Sequence, residues 1–276
     1  MSKSDKSKSQ AVPSYYDVNY SNFQTELYSD IRRDAFGEDI GQNSWLTVSE
    51  QDMFLGWLDL SPGKMFLDVA CGSGGPALRM AAITGCSVVG VDLHEQAIST
   101  AKSLAFQPNL KERAEFRVVN ASEPLPFADA SFDAITCIDA INHLANRPWM
   151  IAQWARLLKC GGRLLFTDTA VITGPLTSEE IAVRSSAGFF LFVPKEYDKE
   201  VILQSGLHLL VCKDVTSNMA EVAEKRRAAR EKRSAAVRHI EGDATFEAQQ
   251  SFLAITSRLA AENRLSRFVF VSEKGS

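Results

Sequence analysis

Phe66-Leu67-Asp68-Val69-Ala70-Cys71-Gly72-Ser73-Gly74-Gly75-Pro76 is an apolar run that breaks into glycines and restarts on a proline. The run reads as a buried strand, the glycines as a tight turn, and Pro76 as the opening of a helix. Glycines let a backbone approach a ligand closely, and a helix N-terminus offers N–H groups that lack partners. The same letters satisfy Gly-x-Gly-x-x-Ala with Ala77 in sixth place, the spacing of dinucleotide sites. Two acids decide between ligands. Asp68 lies inside the strand, where a carboxylate repels a pyrophosphate but holds a cationic amine. Asp92 closes the next apolar run, placed to accept both hydroxyls of a ribose. Together they call for a ligand with a ribose, a positively charged amino-acid tail and no phosphate.

Working outward, short apolar runs recur at Met65–Ala70, Ser87–Asp92, Glu115–Asn120, Asp133–Ile138, Arg163–Thr169, Leu207–Val211 and Arg267–Ser272. Helical stretches separate the earlier ones, at Pro76–Ile83, Glu95–Ala105 and Pro148–Leu158. The early runs are continuously apolar, as strands covered on both faces require. The alternation predicts an α/β fold with a doubly wound, mostly parallel seven-stranded sheet over residues 61–276. Upstream, 14–60 is helical and rich in aromatics, an expected N-terminal lid, and 1–13 is a Ser/Lys-rich tail expected to be disordered. Segments at about 173–206 and 215–264 are expected as cap insertions among the late strands, with Ser217–Ile240 as one long helix.

Composition narrows the function. The chain has 276 residues, 45% hydrophobic and 23% charged, which excludes a collagen, a coiled coil or a mostly disordered protein. A net charge of −4 gives no general argument for nucleic acid. The basic run Lys225–Arg233 is interleaved with Glu221, Glu224 and Glu231 at helical spacing and carries no aromatic stacking platforms, so it reads as a solvated helix face. No apolar run reaches the ~20 residues of a membrane span, and no secretory signal is visible. Five cysteines without paired spacing point to a reducing compartment, expected to be cytoplasmic, and no cluster has metal-ligand spacing.

S-adenosylmethionine is the ligand that matches both acids, and here the sequence resembles the class I S-adenosylmethionine-dependent methyltransferases, a Rossmann-like family. The resemblance runs from about Tyr15 onward. It implies that Asp68, Ala70, Gly72 and Gly74 hold the methionine part and Asp92 the ribose. Leu93 matches a residue that packs on adenine, and Asn120-Ala121 stand where the family usually has an acid near the adenine amine. Ile138 completes the set. S-adenosylhomocysteine would be the product. Leu157-Leu158-Lys159-Cys160-Gly161-Gly162 looks like the family's turn into the fifth strand, with Cys160 replacing the usual proline.

Methyl transfer is an in-line displacement that needs an exposed acceptor lone pair, removal of its proton and exclusion of water. Ile138-Asp139-Ala140-Ile141-Asn142-His143 ends the fourth strand and places His143 where a base is wanted. The string is similar to the corresponding loop of phosphoethanolamine methyltransferases, in which the histidine pairs with a tyrosine from the N-terminal helix. Here Tyr16 is favoured and Tyr15 is the alternative. Ser44 or Trp45 could close over the cofactor, while Arg184 and Phe189 could give an acceptor pocket a cation and an aromatic wall. The expected activity is transfer to N or O of a small molecule, the similarity reaching sarcosine/dimethylglycine and sugar O-methyltransferases. Transfer to carbon of a quinone, isoprenoid or sterol is the alternative. A dinucleotide oxidoreductase, disfavoured by Asp68, and a silent cofactor-binding module come after it.

Overall fold

The computed structural model describes residues 15–275, so the tail expected at 1–13 lies outside the described residues. Three helices come first, α1 (Tyr15–Asn22), α2 (Glu26–Phe36) and α3 (Val48–Leu58). Strands and helices then alternate as β1 (Met65–Val69), α4 (Gly75–Thr84), β2 (Ser87–Asp92), α5 (Glu95–Ala105), β3 (Ala114–Val118) and β4 (Phe132–Cys137). A single 3-10 turn, Ile141–His143, leads to α6 (Arg147–Leu157) and the long β5 (Leu158–Ile172). Next come α7 (Ser178–Arg184), a two-residue β6 (Val193–Pro194), α8 (Tyr197–Gln204) and β7 (Leu207–Asp214). Finally α9 (Thr216–Glu231), α10 (Ser234–Glu241) and α11 (Asp243–Ala261) precede β8 (Leu265–Lys274).

The sheet runs β3-β2-β1-β4-β5-β8-β7, with β6 added at the end of β5. All the main strands are parallel except β8, which is antiparallel to both of its neighbours. The seven expected strands are all present, and the mostly parallel α/β class holds. Each face is covered. Trp154 and Ile151 of α6 and Ile202 of α8 pack on one side, with Phe54 and Leu58 of α3, Ala81 of α4 and Ile98 of α5 on the other. Successive strands pass on opposite sides of β1, and the crevice this leaves above β1 and β4 is where such sheets bind ligands.

Two expectations change. The helix expected over Ser217–Ile240 is two, α9 and α10, broken at Lys232 and Arg233. Arg230 turns back onto Glu241 at 2.7 Å with both side chains buried, and Arg233 reaches Asp34 of α2 at 2.8 Å. Those long-range pairs favour folding back over a straight continuation, and helical periodicity carries no trace of them. Within the 14–60 segment, α1 and the loop after α2 line the crevice, while α2 packs on α9. Helix α3, capped by Thr47, sinks Phe54 and Leu58 into the core beneath the sheet. A third apolar cluster joins Phe36 and Trp45 to Met219 of α9 and Phe252 of α11, so the end of α2 and the loop after it pack with the late helices as one layer.

Candidate active site

The glycine loop leaves β1 through Ala70, whose φ of 56° lies in the left-handed region, and the next strand over leaves through Asp139 at 55°. Both are non-glycine residues held in a strained conformation at adjacent strand ends, a pattern that collects at functional sites. Between them opens a cavity of about 430 Å³. Gly75 shows how closely its roof sits. A Cβ there would come within 2.0 Å of the Ile40 carbonyl, so the loop after α2 lies directly on the start of α4.

Asp68, buried and lining the cavity, accepts a hydroxyl from Thr136 at 2.6 Å. Burial pushes its carboxyl up to about 7, against the lowering effect of the Thr136 hydrogen bond and with help from the Asp92 charge. Asp92 accepts N–H bonds from Gly72 at 2.8 Å and His94 at 2.9 Å, one on each oxygen. A second lone pair on each oxygen remains for diol hydroxyls. Ala70, Gly72, Asn120, Ala121 and Ile138 also line this cavity. Leu93 stands at its mouth, 59% exposed, an apolar face for a ring to cover.

Gly74, the N-cap of α4 at φ 75°, is packed so closely that a Cβ on it would meet Ala101 of α5 and Phe116 of β3 at 2.8 Å. It stands behind the residues that line the cavity. Tyr20, Asn43 and Ser73 line the cavity and were not foreseen as ligand contacts. The Tyr20 ring lies tilted beside His94, a Cβ on Gly72 would come within 3.0 Å of its hydroxyl, and burial followed by the Asp92 charge holds that hydroxyl well above the usual range. Its aromatic neighbours in sequence gave no sign of which ring faces the loop.

At the far wall, Tyr16 of α1 and His143 of the 3-10 turn meet, with Oη to Nε2 at 3.1 Å. Of the two tyrosines considered, Tyr16 therefore reaches the histidine; the Tyr15 side chain lies outside the described residues. His143 Nδ1 is 2.8 Å from the Phe189 carbonyl, which only accepts, so Nδ1 carries the proton and Nε2 the lone pair. Tyr16 then donates. Burial pulls the His143 pKa below 6.5, the Phe189 carbonyl resists, and the charge of Arg184 adds to the lowering. The imidazole is neutral at pH 7 and able to accept a proton.

Asp139 stands four residues before His143 and is fully engaged. Its Oδ1 accepts from Thr167 Oγ1 and Arg267 Nε, both at 2.6 Å. Its Oδ2 accepts from the Trp45 backbone at 2.8 Å and Arg267 Nη2 at 3.2 Å. Arg267, buried on β8, also pairs with Glu50 at 2.7 Å.

A smaller chamber of about 50 Å³ opens behind the Tyr16–His143 pair. Trp45 and Arg184 line this chamber and not the main cavity, whereas Phe189, 56% exposed, borders the main cavity. Among the described residues no group of three or more His, Cys, Asp or Glu gathers to hold a metal. Nor is any helix long and apolar enough to cross a membrane.

Comparisons with known proteins agree with this geometry. A methyltransferase domain model matches residues 67–166. The 27-O-demethylrifamycin SV methyltransferase of Amycolatopsis mediterranei is 29% identical over 238 residues, 80% of this chain and 86% of that protein. A phosphoethanolamine N-methyltransferase of Triticum aestivum is 31% identical over 198 residues, 72% of this chain but 38% of the wheat protein. Among solved structures, phosphoethanolamine N-methyltransferase 2 of Haemonchus contortus superposes with a TM-score of 0.77 at 22% identity, over 96% of this chain and 61% of that one.

Proposed function

We propose that this chain, which belongs to the class I S-adenosylmethionine-dependent methyltransferases, places its methyl group on a hydroxyl oxygen of a small-molecule acceptor. The residues present fit the cofactor. Asp68, buried and without a cation, would hold the ammonium of the methionine part, and the Gly72 and Ser73 backbone would border its carboxylate. Asp92 would take the ribose hydroxyls, and Leu93, Asn120 and Ala121 would frame the adenine. When bound, S-adenosylmethionine supplies a methyl group carried on a sulfonium.

The choice of oxygen rests on Asp139. An amine acceptor arrives as a cation and calls for a carboxylate beside the reacting atom. The acid best placed for that already has both oxygens filled by Arg267, Thr167 and Trp45. What remains at the wall is a neutral histidine with its lone pair aimed at a tyrosine hydroxyl. A hydroxyl donating to Tyr16 Oη, with Tyr16 donating to His143 Nε2, would pass its proton along that path as the oxygen attacks. Tyr16 and Tyr20 of α1 and the α2–α3 loop line the cavity over the reacting pair and would limit the access of water while this happens. The A. mediterranei relative, by its name an O-methyltransferase, supports the same reading.

We take the acceptor to be a small molecule rather than a nucleic acid. The basic run on α9 is matched by Glu221, Glu224, Glu241 and Asp34, and Arg226 lies over Trp45 and Phe36. The free, mostly buried cysteines suit a cytoplasmic setting. The test offers matched alcohols or phenols and the corresponding amines together with methyl-labelled S-adenosylmethionine. Label is expected on oxygen. Label on nitrogen, with the hydroxyl partners left unmodified, would overturn this reading.

A further inference from the structure

Arg184 is the last residue of α7, a helix fixed in place by a Thr177–Glu180 capping box. Glu180 is further tied to Arg258 at 3.0 Å and Arg264 at 2.5 Å, so the first turn of α7 is anchored one turn before Arg184. The Arg184 side chain enters the chamber behind His143 and is 1% exposed. Its Nη2 donates to the Thr169 hydroxyl at 3.2 Å and, more weakly, to the Thr169 carbonyl at 3.4 Å. Among the described residues, Nε and Nη1 have no hydrogen-bond partner.

That arrangement is costly unless something else completes it. A buried guanidinium ordinarily has a carboxylate partner. Three other buried arginines in this molecule follow the rule: Arg147 pairs with Asp168 and Asp198, Arg230 with Glu241, and Arg267 with Glu50 and Asp139. Those pairings also consume the acids nearest Arg184. Burial without such a partner pulls the Arg184 pKa down to about 10, against the raising influence of Tyr16, Asp168 and Asp139. Arg226 adds a second guanidinium to the chamber lining, and Gln249 and Asn142 add amides; the Asn142 Nδ2 also lacks a partner.

We propose that this chamber anchors a carboxylate of the acceptor, so that the substrate class is a small hydroxycarboxylic acid with its hydroxyl turned to Tyr16 and His143. The inference rests on the reading of this enzyme as an O-methyltransferase and adds the group that orients the acceptor. Phe190 and Phe252 lie 4.6 and 4.7 Å from the guanidinium carbon to their centroids and 6.3 Å from each other, so they wall the guanidinium without meeting its Nε and Nη1 donors. A carboxylate there would accept charge-assisted hydrogen bonds. The chamber, about 50 Å³, suits a compact anion. Tyr16 and His143 line both the chamber and the main cavity, so an acid held by Arg184 presents its next few atoms to the reacting pair.

The test uses the full chain loaded with S-adenosylhomocysteine, and calorimetry at constant ionic strength. The probes are lactate and 3-hydroxybenzoate, the methyl ester of each, and inorganic phosphate. At least one acid is expected to bind tenfold or more tighter than its ester and than phosphate. Arg184→Met should weaken that acid by about 10²-fold, and Arg184→Lys by less, while affinity for S-adenosylhomocysteine stays near the wild-type value. The acid–ester comparison needs no variant, so a failure of Arg184→Met to fold leaves the inference testable. Acids and esters binding alike, phosphate outcompeting every acid, or Arg184→Met binding acids normally would each overturn it. Turnover separates it from the premise. Arg184-dependent methylation of an amino acid's nitrogen would refute oxygen transfer yet keep the anchor, whereas neutral phenols methylated as well as their acids would do the reverse.

Discussion

His143 is held by what its two nitrogens touch. The Phe189 carbonyl fixes the proton on Nδ1, so the Nε2 lone pair can only face Tyr16. The working form is the neutral ring, and activity should rise as pH rises through its pKa. Since burial, aided by Arg184, lowers that pKa, the ascending limb of kcat/KM is expected below pH 6.5. His143→Ala should reduce kcat by about 10²–10⁴-fold, abolish that limb and leave cofactor affinity nearly intact. A variant with near-normal kcat would make the histidine a packing residue. Asp68 within β1, Asp92 at the end of β2 and His143 in the turn after β4 were singled out because the apolar runs locate those strands and the glycine loop and the family resemblance point to their ends. Arg267 was not. It reads as one more polar residue at the head of a late strand, and only the fold carries it to Asp139, 2.6 Å away.

Among the elements, α4 and the loop leading into α3 are fitted to each other at a single glycine. Gly75→Ala would drive a methyl into the Ile40 carbonyl, a backbone atom that cannot swing aside. The strain is expected to lift the roof, costing about 1–3 kcal/mol of stability by denaturant titration. S-adenosylhomocysteine should also dissociate faster, as stopped-flow would show. Unchanged stability and release would mean that the roof is compliant. Sequence reading placed the central strands well, since a strand buried on both faces announces itself by an unbroken apolar run. It did not find α8, whose buried Asp198 answers Arg147 from a distant helix, nor the break between α9 and α10. Elements of the roof depend on partners far along the chain, and their local letters stay ambiguous.

On the scale of the whole molecule, one buried set of charges joins three regions. Arg267 of β8 holds Asp139 from the end of β4 and Glu50 from α3. Arg267→Met would leave two buried carboxylates without their cation, expected to cost about 3–5 kcal/mol. Burial already pushes the Glu50 pKa up against the pull of Arg267, so losing that arginine should raise it further. A folded-state pKa raised above the unfolded value contributes stability at low pH that is lost as pH rises. The deficit of the variant should therefore shrink on acidification, and thermal melts at several pH values would show it. A pH-independent deficit would point to lost packing instead of lost charge.

The position of β8 also has a bearing on the birth of the protein. Strand β7 has only β8 beside it, and β5 faces an open side until β8 arrives between them. A ribosome delivers residues 265–274 after every strand they join. Until then the nascent chain holds two unpaired sheet edges, and Asp139 and Glu50 lack their arginine. Unpaired edges of this kind are adhesive, so the stage before residues 265–274 emerge is the one at which a chaperone would be most useful.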